Sequence, residues 1–337
     1  MKRFGIILVV GLLLSSLILA SCSSGAPAPE KPKESAKPVT IKLGHTVNEK
    51  DAFHVAAVKF KELVEAKSNG TVKIELHPNG ELGDERTMLE GMQMGSVDMG
   101  VITSGPFVNF VPEFGVVDLP FLFRDAPHAY KVFDGPIGKS LLKKLEPSGL
   151  KGLAFAERGF RHLTNSKRPI KTPEDVKGLK IRVMQNPVFQ DTFKALGANA
   201  VPMSWTEVIT ALQQKTIDGQ ENPINVIYAY KLWETQKYMS LTAHAYSPAI
   251  FVMSLKLFNS LTPEQQKIIE TSAQEAAEYE RKWDADNEAT QLKAITENGM
   301  KVEKPDTEAF RKAVKSIYDK YQDKFGKDLI EAIINTK

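Results

Sequence analysis

An arginine inside an apolar strand is the most chemically informative feature of this chain. Leu179-Lys180-Ile181-Arg182-Val183 has the pattern of a β-strand. A guanidinium is costly to bury unless it meets an anion. Its planar fork of donors fits a carboxylate at two points, a contact lysine cannot reproduce. That carboxylate belongs either to a ligand or to an Asp or Glu of the chain itself. Arg161 follows Gly159-Phe160 at the end of another expected strand, with Arg158 as a competing candidate; a solvated surface charge is the alternative for both. Asn222 carries donor and acceptor in one amide, suited to a hydroxyl or carboxylate oxygen, or to capping a helix ahead of Pro223. Trp205, at the first turn of an expected helix, offers a flat apolar wall with one N–H donor, or packs into the core. His45, directly after the first strand, is placed to donate into a cleft or to sit on the surface. Gln185, Asn186, Tyr228 and Tyr246 stand at strand or helix ends as further candidates.

Other chemistries lack their residues. There is no Gly-rich phosphate loop, no G-x-S-x-G elbow and no H-E-x-x-H, and the six histidines never fall at metal-ligand spacing. The single cysteine excludes an internal disulfide, a cysteine zinc site and an iron–sulfur cluster. No cofactor or metal is expected, and no enzyme activity, although paired catalytic carboxylates stay open. Basic and acidic residues number 44 and 41, so no global basic surface draws the chain to nucleic acid.

These residues need elements to hold them. The first residues do not contribute: Lys2 and Arg3 precede an apolar run from Phe4 to Ala20 that ends in Leu19-Ala20-Ser21-Cys22. Residues 1–21 read as an export signal, and Leu-Ala-Ser-Cys resembles the bacterial lipobox, with Cys22 as the lipidation site; a single-pass anchor is the alternative. Two acyl chains give stable attachment to the outer face of the cytoplasmic membrane. The segment to Pro38 is proline-rich, without large apolar residues, and forms a flexible tether.

From Val39 strands and helices alternate, giving an α/β fold with helices on the faces of a sheet. Val39–Leu43 and Thr71–Leu76 alternate with period two around a helix opening at Asp51. A helix near Glu85–Met94, an apolar stretch Val97–Thr103, a helix near Ala126–Phe133 and a strand at Gly152–Ala156 follow. A second unit has a helix start at Thr172-Pro173, the Arg182 strand, a helix Val188–Leu196, a short strand at Val201–Met203 and a helix from Ser204 to about Lys215. Ile217 to Pro223 is polar and reads as a loop, the kind of connection where α/β proteins bind ligands. No glycine or proline interrupts the stretch between Pro263 and Gly299, about 54 Å long if helical throughout. Such a helix spans two lobes, unless an unmarked bend divides it.

Gly83-Asp84-Glu85-Arg86, Gly95-Ser96-Val97-Asp98, Leu119-Pro120-Phe121-Leu122, Gly159-Phe160-Arg161, Lys177 to Val183, Gly197-Ala198, Pro202-Met203 and Asp218 to Pro223 occur in the order found in one family. The chain resembles the DctP-type solute receptors of tripartite ATP-independent periplasmic (TRAP) transporters. The resemblance implies a two-lobed, type II periplasmic-binding-protein-like fold with a β-strand hinge and a long helix across both lobes. It places lobe I at 39–158 plus 247–286 and lobe II at 159–246 plus 287–337. It also implies a monomer that closes on an organic acid and passes it to a membrane permease. Arg182 then holds the substrate carboxylate, Arg161 is a second ligand-facing arginine, and Trp205 lies against the substrate. Sialic-acid receptors of the family have a glutamate where this chain has Thr103, so Thr103 points away from sialate and toward a dicarboxylate, keto acid, uronate or other sugar acid. An ABC-type receptor and a secreted lipoprotein enzyme of α/β fold are the competing readings.

Overall fold

The computed structural model describes residues 38–337. The export signal, Cys22 and the tether up to residue 37 lie outside the described residues. The first half of the body runs β1 (Val39–Gly44), α1 (Ala52–Lys67), β2 (Val72–His77), α2 (Glu85–Met94) and β3 (Met99–Thr103). Next come α3 (Ala126–Asp134), α4 (Pro136–Lys143), β4 (Leu150–Asn165), β5 (Lys180–Val183), α5 (Pro187–Ala195) and β6 (Asn199–Pro202). Then follow α6 (Trp205–Gln213), β7 (Gly219–Asn222), α7 (Ile224–Ala229), β8 (Tyr238–Ser254), α8 (Leu255–Ser260) and α9 (Pro263–Glu297). The chain closes with β9 (Lys301–Glu303), α10 (Thr307–Ala313), α11 (Lys315–Phe325) and α12 (Lys327–Asn335). Among the described residues no helix is long and apolar enough to cross a membrane.

The strands form one sheet in the order β2-β1-β3-β8-β4-β7-β5-β6, with β9 beside β8. β1 runs parallel to β2 and β3, and β5 runs parallel to β6 and β7. Between these parallel halves lie β4 and β8, a long antiparallel pair that crosses from one to the other. Their register slips between Glu157 and Gly159, opposite Pro248 and Ser247, and again between Arg161 and Leu163, opposite Ala245 and Ser240. Gly159 sits at φ +101°, a backbone conformation open to glycine and little else.

Neighbouring residues along the central strands feed two different apolar cores, as the period-two alternation of a strand requires. Ala154, Ala156 and Phe251 join the core that holds α1, α6 and α9, whereas Phe155, Ile250 and Val252 join the core of α2, α3, α5 and α11. Each core draws on both parallel halves, so burial joins the halves at the crossing strands. Helix α9 is continuous: Thr262 and Gln265 cap each other at its start, and it packs on α1, β4 and α7.

For the strands, the structure corrects the sequence reading in two places. The strand expected at Gly152–Ala156 is only part of the sixteen-residue β4, whose Arg158 and Arg161 interrupt the apolar pattern. The expected loop at 217–223 contains β7, buried at every position in the sheet interior. Its polar side chains are satisfied laterally: Gln220 Nε2 donates to Thr164 Oγ1 at 2.9 Å and Asn222 Nδ2 to Gln220 Oε1 at 2.6 Å.

Candidate functional site

The parallel strands of both halves end near one cleft. The carboxyl ends of β5 and β6 deliver Arg182, Met184, Gln185 and Met203; the N-terminal turn of α6 adds Ser204 and Trp205. From the other half come Pro106, after β3, and Asp84, Glu85 and Arg86, which begin α2. Together these residues enclose one narrow cleft open to solvent. Crevices beyond the carboxyl ends of parallel strands are the usual ligand positions in open α/β sheets, and the first turns of α2 and α6 present helix N-termini to it.

Arg182 is 4% exposed, and its Nε and Nη2 donate to the carbonyl oxygen of Met203 at 2.9 and 2.7 Å. Among the described residues no carboxylate forms a salt bridge with it. Its guanidinium lies 5.7 Å from the ring centre of Trp205, whose indole also meets Tyr230 edge-on. Burial pushes Arg182 down to about 10; Glu221 and Glu85 oppose that shift, and Arg161 and Arg158 reinforce it. It stays cationic at neutral pH, buried with no carboxylate in salt-bridge contact among the described residues. Gln185 lines the same wall, and its carbonyl oxygen accepts from Asn109 Nδ2 at 3.1 Å.

Arg161 has a different environment. It is fully buried, and its Nε and Nη2 grip both carboxylate oxygens of Glu221, with a further bond from Nη2 to the Glu221 carbonyl. Burial alone would raise Glu221, but Arg161 and the hydrogen bond from His244 outweigh it and hold the carboxyl below its ordinary value. The alternative of a solvated surface charge is therefore wrong for Arg161, and also for Arg158, which is 4% exposed, bonded to Asp51 Oδ1 at 2.6 Å and stacked on Phe53. Asn222 is buried beside this layer on β7, opposite His162 of β4.

Four candidates stand elsewhere. His45 is enclosed, with its Nε2 3.1 Å from His54 Nδ1. Burial, His54 and Arg158 lower it to about 3, so it is a neutral core imidazole rather than a cleft donor. The Asn186 side chain is occupied on both atoms: Oδ1 caps α5, and Nδ2 donates to Gly105 O at 3.0 Å and Asp118 Oδ2 at 2.7 Å. Tyr246 packs among Phe123, Phe133 and Phe160 in the core. Thr103 is buried behind the cleft, where its backbone N–H donates to Glu85 Oε1 at 2.9 Å.

Glu85 is the residue that sequence reasoning missed. Asp84 caps α2 through Thr87 N, and an acid in the first turn is what the helix dipole favours, so both had a sufficient local explanation. The structure places Glu85 in the cleft wall opposite Arg182. Burial raises its pKa, against the pull of the Thr103 bond and of Arg158 and Arg182.

Residues 43–324 match the bacterial extracellular solute-binding protein family 7, DctP. Among similar proteins, the 2,3-diketo-L-gulonate-binding periplasmic protein YiaO of Escherichia coli is 41% identical over 291 residues, 86% of this chain and 88% of that protein. A TRAP periplasmic solute-binding protein of Polaromonas, solved with D-erythronate, is 44% identical with a TM-score of 0.87, covering 89% of this chain and 99% of that one. The sugar-acid-binding protein DctPAm of Advenella mimigardefordensis, solved with galactonate, is 38% identical with a TM-score of 0.87, covering 89% and 98%.

Proposed function

The chain belongs to family 7 of the bacterial extracellular solute-binding proteins, the DctP-type receptors of TRAP transporters, and on that premise we propose that it captures a hydroxylated organic acid and hands it to a TRAP permease. Its relatives are binding proteins rather than enzymes, with the two-lobed type II fold. The observation that carries the reading is Arg182, a buried cation in the cleft wall whose hydrogen bonds, among the described residues, go to a carbonyl oxygen and not to a carboxylate. A ligand carboxylate supplies the missing charge.

Arg161 and Asn222 lie behind it and orient the site, Trp205 gives the ligand an apolar wall, and Gln185 and Glu85 are set to take hydroxyls. A carboxylate at the far end of a dicarboxylate would meet Glu85, which favours a polyhydroxy monoacid. Diketogulonate, erythronate and galactonate, bound by the relatives, are acids of that kind. The lobes, 39–158 with 247–286 and 159–246 with 287–337, hinge at the β4–β8 register slips and close over the acid, excluding water and strengthening the ion pair. Cys22 carries the lipid that holds the receptor at the membrane.

A thermal-shift screen of aldonates, uronates and C4-dicarboxylates tests this. A ligand at one hundred times its Kd adds roughly 2.7 kcal/mol of stability. An aldonate or keto-aldonate should shift the melting temperature, and the acid should be recovered unchanged. No response to any acid, or an equal response in Arg182→Ala, would overturn the reading.

A further inference from the structure

A second, small hollow opens around the β4 bulge and shares no lining residue with the Arg182 cleft. Two carboxylates converge there. A methyl group built on Gly159 stands 3.7 Å from Asp284 Oδ2 and 3.8 Å from Glu157 Oε1. Asp284 and Asn225 are 8% and 3% exposed, yet Asp284 Oδ1 and Asn225 Oδ1 have no hydrogen-bond partner, and the Asn225 amide is the one side-chain donor beside the Asp284 carboxylate. The amide orientation is fixed, because Asn225 Nδ2 donates to Arg158 O at 3.1 Å, so it is the carbonyl oxygen that lacks a partner. Glu288 lies on the rim. Arg281, the cation next along α9, is bonded to Asp134 and to Phe155 O.

Buried oxygens without donors carry a desolvation penalty that a hard cation removes. We propose that this hollow binds a hard divalent cation, calcium before magnesium, on Glu157, Asp284 and Asn225, with water completing the shell. Among the described residues no three of His, Cys, Asp and Glu gather as a metal cluster, so the site needs an oxygen beyond its carboxylates, and the unpartnered Asn225 Oδ1 offers one. Calcium accepts mixed carboxylate, amide and water oxygens in irregular geometry, whereas magnesium demands a near-ideal octahedron. Glu157 Oε2 already accepts from the Tyr130 hydroxyl, which leaves Oε1 for the ion, and the two carboxylates together balance the divalent charge. Glu157 precedes the bulge, Asn225 follows β7 and Asp284 belongs to α9, so the ion ties three elements together where the sheet halves join.

A proton is the competing occupant. Burial, then the neighbouring acids, hold Asp284 well above the usual carboxylate range, and burial raises Glu157 to about 7. The two are separated by titrating the full-length, EDTA-treated protein with calcium, magnesium or sodium chloride against choline chloride at equal ionic strength. Expected are one calcium per chain by calorimetry and a raised melting temperature. Asp284→Asn should weaken binding by roughly tenfold or more, and Asn225→Asp, which adds a charge to the ligand set, should tighten it. No calcium response beyond choline, or an unchanged one in Asp284→Asn, overturns the proposal. Should Asp284→Asn not fold, unchanged or weaker binding in Asn225→Asp does so. The outcome is independent of which acid the cleft takes.

Discussion

Two buried arginines near each other in this fold have opposite electrostatic fates. Arg161 is neutralised by Glu221 at two points, whereas Arg182 finds only the Met203 carbonyl. Breaking the first pair should hurt folding: Glu221→Gln leaves Arg161 buried without its counter-charge and should lower stability by about 3–5 kcal/mol in urea unfolding. Arg182→Met should do the reverse in the ligand-free protein, raising the melting temperature by removing an unpaired buried charge while abolishing the acid-induced shift. A loss of ligand-free stability in that variant would mark Arg182 as a structural residue. Both arginines were legible because a permanent cation in an apolar strand demands an anion. Which of them has a private carboxylate was not, since Glu221 lies sixty positions from Arg161 and only the β4–β7 register brings them together. His45 misled for a related reason: its loop position suggested the cleft, but the loop folds inward beneath α1.

At the level of elements, helices were the readable part. Asp51, Asp84 and Thr262 each cap a helix expected from the sequence, and α9 runs unbroken, with no glycine or proline after Pro263 to divide it. Polar strands were hidden, because β7 is buried through side-chain pairing and not through apolar alternation. The long β4 was likewise truncated at its first charge. The bulge at Gly159 turns that length into a joint, and Gly159→Ala tests how tightly it is built. At φ +101° an alanine is strained, with its methyl 3.4 Å from Pro223 Cβ and close to two carboxylates. Loss of about 1–3 kcal/mol is expected, more than for Gly178→Ala, where the backbone is also left-handed but no atom stands within 4 Å of the added methyl. Equal losses would mean that backbone conformation alone, and not the contacts the methyl makes at the joint, sets the cost.

Across the whole molecule, a buried hydrogen-bonded strut ties the two halves of the sheet together. Asp118 accepts from Ser104 Oγ at 2.8 Å and from Asn186 Nδ2 at 2.7 Å, linking the segment after β3 to the cap of α5. Burial raises Asp118 from its ordinary 3.8 to about 7, despite these bonds and the field of Arg161. The folded state therefore holds this proton more tightly than the unfolded chain. Its contribution to stability is complete below about pH 4 and is lost as pH rises through about 7. His45 and His162 act in the opposite sense: burial lowers both from 6.5 to about 3, so their contribution is lost as pH falls through that interval. The opposing slopes overlap, and a simple pH profile of the wild type would blur them. Asp118→Asn separates them, because an amide matches the protonated acid, donating to Ser104 and accepting from Asn186, yet cannot ionise. Relative to wild type, the variant should gain stability steadily between about pH 4 and about pH 7, by up to roughly 4 kcal/mol for three pKa units. Urea midpoints at several pH values measure the difference. If the two profiles run parallel, Asp118 is already charged at neutral pH and the strut is an ionised one, held by its two donors alone.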